Sequence, residues 1–75
     1  MIGDEPVVKM EWKKDAVILV HIRGGVAVIS ANRDGLLSLA DHLTVLAAET
    51  PGSHIHYDEN NALEPGSDEL IMELI

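Results

Sequence analysis

Apolar residues recur along the chain in two rhythms, and the change from one to the other marks out its elements. "PVVKMEW", residues 6–12, alternates weakly and reads as a first strand, closed by the polar turn "KKD" at 13–15. "AVILVHI", residues 16–22, is apolar and rich in β-branched residues at nearly every position, the pattern of a strand buried on both faces. Arg23-Gly24-Gly25 then predicts a hairpin turn, because two glycines accept the positive φ that tight turns need. "VAVISA", residues 26–31, returns as a third strand, completing an antiparallel meander.

The period then lengthens. Leu36, Leu39, Ala40, Leu43, Leu46 and Ala47 fall three or four residues apart and form one apolar stripe of a helix. Asn32 or Asp34 can cap its start, and Asp34 also complements the positive end of the helix dipole. Asp41, His42 and Glu49 lie off the stripe, which puts His42 on a solvated face. Thr50-Pro51-Gly52 stops the helix, since proline cannot continue it. Alternation resumes in residues 53–58 and 68–75, a fourth and a fifth strand. Between them "ENNALEPGS" is long for a hairpin loop. Its Glu64-Pro65-Gly66-Ser67 fits a type II turn, with proline presetting φ and glycine taking the positive φ that follows. Leu63 is expected to plug the loop from beneath. The last strand runs to the end of the sequence, so that end is expected to be tied down.

These elements predict a small α+β domain of order βββαββ. A largely antiparallel five-stranded sheet carries one helix on one face. Ala16, Ile18, Val20 and Ile22 alternate with Val17 and Leu19, so the middle of the sheet is apolar on both sides, and one helix cannot cover both. The other face is expected to meet a second copy, a stable partner or the loop around Leu63, because apolar patches of that kind mark interaction sites. A homodimer or a partner complex follows.

Composition narrows the picture. The chain has 75 residues, which suits a single domain over 1–75 with residues 1–5 frayed. There is no cysteine, hence no disulfide framework and no thiolate metal site, and the cytosol is the default compartment. No apolar run reaches a membrane span, and the acidic start "MIGDEPVVKM" is unlike a basic signal peptide. The net charge is −8, and it is unevenly spread. Residues 1–33 hold all five Lys and Arg with four acids, whereas residues 34–75 hold nine acids and no Lys or Arg. Such a half repels phosphates, which argues against nucleic acid and anionic membranes as partners. Its field would steer a cationic partner inward.

The candidate chemistry lies in "SHIHYD", residues 53–58. His54, His56 and Asp58 share one face of a strand, and Ile55 and Tyr57 the other. A His-x-His pair with a nearby carboxylate can hold a zinc ion, which is the metal alternative. The competing use is structural. If Leu70, Met72 and Leu74 face the helix with Ile55 and Tyr57, then Glu69, Ile71 and Glu73 share the histidine face. The histidines become cross-strand partners of glutamates, and no cofactor is needed. A pH-sensing use of the imidazoles is a third possibility. His21, on an inner strand, reads as a core or interface residue. Trp12, the single tryptophan, reads as a core edge or an interface anchor. No serine sits in a nucleophile context, and Gly24-Gly25 lacks phosphate-loop spacing, so the chain reads as a non-enzyme.

"NRDGLLSLADHL", residues 32–43, followed by "GSHIHYDENNALEPGSDELIMELI", residues 52–75, resembles the immunity protein 32 family of bacterial polymorphic toxin systems. The resemblance covers about residues 25–75 and rests on Asn32, Gly35, Leu36, His54, His56, Asp58, Asn61, Leu63, Gly66 and Ser67. The first strand and the region of Trp12 have no counterpart in it. It implies a small α+β protein that neutralises a cognate toxin by binding. An acidic second half agrees with a toxin whose own site is basic. The candidate contact surface is then His54, His56, Asp58, Glu59, Glu64, Asp68, Glu69 and Glu73.

Overall fold

A computed structural model describes residues 11–75. The described residues form β1 (Ile18–Arg23), β2 (Val26–Ala31), α1 (Arg33–Ala47), β3 (His54–Tyr57) and β4 (Leu70–Glu73). Most of the predicted first strand lies outside the described residues, and Glu11 and Trp12 are not in a strand. The fourth and fifth predicted strands are shorter than residues 53–58 and 68–75. Hydrogen bonds from the Gly52 N–H to the Leu74 carbonyl (2.7 Å) and from the Leu74 N–H to the Ser53 carbonyl (2.9 Å) nevertheless extend their pairing to Leu74.

The β1–β2 hairpin turns on Gly24 (φ 56°) and Gly25 (φ 80°), with Arg23 paired to Val26. Positive φ at both central positions makes a two-residue turn whose twist suits the strands, as the Gly-Gly pair predicts. At the next junction Asn32, rather than Asp34, caps the helix. Its Oδ1 accepts from the Gly35 N–H at 2.7 Å and from the Val17 N–H at 3.0 Å, while its Nδ2 donates to the Asp15 carbonyl at 2.8 Å. One side chain thus fixes the helix start against the segment that leads into β1.

The expected single five-stranded sheet is not formed. The described strands make two antiparallel two-stranded sheets, β1–β2 and β3–β4. The physical reason lies in residues 64–68, which run along the second edge of β1. The Glu64 N–H donates to the Ile18 carbonyl (2.9 Å) and the Asp68 N–H to the Val20 carbonyl (2.7 Å). The Val20 N–H, however, finds Ser67 Oγ (3.2 Å), and the Ile22 N–H finds Asp68 Oδ2 (2.7 Å). Side-chain oxygens stand where a neighbouring strand would offer carbonyls. Pro65 and the turn at 64–67, with Gly66 at φ 90°, prevent a regular ladder there. Residues 64–68, in the connection from β3 to β4, are what bond the second hairpin to β1.

Helix α1 is also rotated from its expected phase. Leu39 and Leu46 are buried, but Leu36 and Leu43, expected on the same stripe, are 54% and 46% exposed. Gly35, Ser38 and His42 take the buried positions instead. Gly35 sets this phase. A Cβ there would lie 2.6 Å from the Val17 carbonyl oxygen and 3.1 Å from Ala31 Cβ, so only glycine lets the helix backbone come this close. Beneath the helix Ile18, Val20, Ile55, Tyr57 and Leu63 complete the buried core with Leu39 and Leu46. Leu63 is the expected plug. β2 is exposed along most of its length, and in β1 Ile18 and Val20 are buried while Leu19 and His21 on the opposite face are half-buried, so the expected burial on both faces is not met.

Candidate functional site

Pairing in the second hairpin sets the candidate surface. His54 is opposite Glu73, Ile55 opposite Met72, His56 opposite Ile71 and Tyr57 opposite Leu70. Ile55 and Tyr57 are buried toward the helix, which leaves His54, His56, Ile71 and Glu73 on the helix-free side. The cross-strand arrangement of histidines with glutamates is therefore present. His56 Nε2 lies 3.5 Å from Glu69 Oε2 and 3.9 Å from Asp58 Oδ2.

The loop beyond β3 is built to hold its end. Asn61 Nδ2 donates to the His56 carbonyl (2.8 Å) and its Oδ1 accepts from the Asp58 N–H (3.0 Å). Asp58 Oδ1 accepts from the Asn60 N–H (2.8 Å), and Glu59 Oε2 from the Gly66 N–H (2.6 Å). These bonds sort the candidate contact residues. Asp58, Glu59 and Asp68 spend carboxylate oxygens on backbone amides of their own chain. Glu64 is half-buried where its N–H meets β1. His54, His56, Glu69 and Glu73 are exposed.

The metal alternative named His54, His56 and Asp58. The ligand atoms that converge belong to His56, Asp58 and Glu69, all within 4.8 Å of one another, and Glu69 stands where His54 was expected. One imidazole and two carboxylates suit a divalent cation of borderline hardness. The same three groups are equally satisfied as an exposed ion-pair cluster if His56 is protonated.

A second polar cluster was not anticipated. His42, expected in solvent, is 2% exposed. Its Nε2 lies 2.8 Å from the Glu11 carbonyl, which can only accept, so Nε2 carries the proton. In the neutral ring Nδ1 then accepts from the Tyr57 hydroxyl at 2.9 Å. Trp12 meets the His42 ring edge-on at 4.4 Å, the core-edge position proposed for it. Burial pushes the Tyr57 hydroxyl up to about 12. The signal in the sequence was the spacing of Gly35, Ser38 and His42, which share a helix face with Leu39 and Leu46. His21 is half-buried on the side of β1 away from the helix.

A family model described as immunity protein 32 matches residues 26–75. The chain belongs to the immunity protein 32 family. The match starts at β2 and takes in α1 and the whole second hairpin. Within this immunity protein family member, Asn32, Gly35, Leu63, Gly66 and Ser67 have the structural duties described above: cap, close approach, plug, turn and strand partner. No curated protein and no solved structure matches the chain. Among the described residues no helix is long and apolar enough to cross a membrane.

Proposed function

We propose that this chain neutralises a cognate bacterial toxin by binding it directly in the cytosol, as an inhibitor without catalytic activity of its own. The observation that carries this reading is the family match over residues 26–75. Charge supports it. From residue 34 onward the chain has nine acids and no Lys or Arg, which suits a partner with a basic surface and speeds its docking. The proposed contact set is drawn from His54, His56, Asp58, Glu59, Glu64, Asp68, Glu69 and Glu73. The test is co-expression with the toxin domain encoded immediately upstream. Rescue of growth together with co-purification is the expected result. A housekeeping gene in that position, or no rescue, would remove the immunity reading.

A second reading rests on the convergence of His56, Asp58 and Glu69. On that reading the chain binds a divalent cation. Zinc titration followed by thermal shift separates the two. A stabilisation that Glu69→Gln abolishes favours the cation, and no shift in excess zinc eliminates it. Self-association is a separate matter. The exposed Leu36 and Leu43 flank the helix and supply an apolar strip for a second copy. Light scattering at micromolar concentration is expected to give a dimer mass, and a monomer mass would exclude it.

A further inference from the structure

The alternation of both hairpins leaves a second sheet face that the helix does not touch. Ile18 and Val20 of the first hairpin and Ile55 and Tyr57 of the second enter the same core. Their neighbours therefore point away from that core. In the first hairpin these are Leu19, His21 and Arg23 with their partners Ser30, Val28 and Val26, and Val26 and Val28 are 59% and 49% exposed. In the second they are Ile71, 59% exposed, and Glu73, with Glu69 just before β4. The bonds from residues 64–68 to β1 keep the halves adjacent.

We infer that this helix-free face is the docking surface for the toxin, with both hairpins engaged at once. This rests on the immunity reading and adds the face and the chemistry of its partner. The first hairpin offers Val26 and Val28 beside Arg23 and His21, and the second offers Glu69 and Glu73 with no Lys or Arg of its own. The toxin surface that fits is an apolar ridge beside a cluster of Lys or Arg. Charge decides between this face and the exposed helix flank. Leu36 and Leu43 on that flank are interspersed with Ala40 and Ala47, and the helix offers a cationic partner one exposed carboxylate, Asp41, against Glu69 and Glu73 on the sheet face. On the sheet face the Glu69 side chain is 71% exposed, and among the described residues its one charged partner is the His56 imidazole. An apolar centre with a charged margin is the usual build of a specific interface.

The experiment measures binding of the full chain to the purified toxin domain encoded immediately upstream. Variants on the face are the double Glu69→Lys/Glu73→Lys and, separately, Val28→Asp. Variants on the outer surface of the helix are Leu37→Asp and Asp41→Lys. Each face variant is expected to weaken binding by about tenfold or more, and each helix variant by less than about twofold. Thermal melts check folding. If Val28→Asp melts early, Val28→Thr replaces it, since it keeps the β-branch while adding a hydroxyl. Failure of the unsubstituted chain to bind ends the immunity reading and this inference with it. Binding that survives the face variants, or that falls with the helix variants instead, overturns the face and leaves the immunity reading standing. Loss in the glutamate pair alone overturns the joint use of the two hairpins.

Discussion

Both ring nitrogens of His42 are used, and each holds a different segment against the helix. Nε2 donates to the Glu11 carbonyl, Nδ1 accepts from Tyr57, and Trp12 closes the ring edge. Replacing His42 by alanine removes the ring and orphans two polar groups as well. A buried polar group without its partner costs about 1–3 kcal/mol, and the vacated volume adds to that. His42→Ala is expected to lower unfolding stability by about 2–4 kcal/mol in denaturant titration, and to shift the emission of Trp12, whose ring it touches. An unchanged midpoint would show that the cluster contributes little. Tyr57 gives a second handle. Its hydroxyl titrates near 10 when exposed and about 12 in the fold, so between those values the folded state binds more protons than the unfolded one. Stability is then full below pH 10 and falls as pH rises toward 12, by roughly 3 kcal/mol at most. Melting temperature followed from pH 8 to 11.5 is expected to drop above pH 10 in the parent and less in Tyr57→Phe.

At the scale of elements, the helix is placed by a glycine. Alanine is the better helix former by about 1 kcal/mol, so Gly35→Ala would stabilise an isolated helix. Here its Cβ would sit 2.6 Å from the Val17 carbonyl oxygen, a backbone atom that cannot swing away. The helix would have to lift from β1, and overpacking of this kind costs about 1–3 kcal/mol. Net destabilisation is therefore expected, and a rise in melting temperature for Gly35→Ala would refute the close approach. The example shows what sequence reading could and could not reach. The Gly-Gly hairpin and the turn at 64–67 were legible because each is set by the φ, ψ needs of a few adjacent residues; Asn32 was one of two caps the sequence offered, and Leu63 stood out as the one large apolar residue of its loop. The alternation of 54–57 with 70–73 fixed the two faces of the second hairpin for the same reason. The helix phase was not legible. Leucine spacing favoured Leu36 and Leu43, but a backbone contact at Gly35, a hydrogen bond that Ser38 Oγ accepts from the Lys13 N–H, and those of His42 with Glu11 and Tyr57 decide the matter. The second neighbour of β1 was hidden likewise, because Ser67 and Asp68 reach Val20 and Ile22 across separations of 47 and 46 residues.

Over the whole molecule, charge is divided between the two parts of the chain. Residues 1–33 hold every Lys and Arg, and residues 34–75 hold nine acids with neither. The exposed Val26 and Val28 and the exposed Glu69 and Glu73 supply two kinds of binding energy, and these respond differently to salt. Attraction between exposed charges reaches about 10 Å at 0.1 M salt and about 3 Å at 1 M, whereas burial of valine and isoleucine is little affected over that range. If the acids steer the toxin and the two valines hold it, salt acts on encounter more than on residence. Stopped-flow association with the upstream-encoded toxin domain is expected to slow by about tenfold or more between 0.05 and 0.5 M salt, with dissociation changing by less than about threefold. The Glu69→Lys/Glu73→Lys variant should flatten the salt dependence of association, and Val28→Asp should raise dissociation while leaving that dependence in place. An association rate independent of salt in the parent would remove charge steering, and salt-sensitive dissociation would mean that the carboxylates lock the complex rather than guide it.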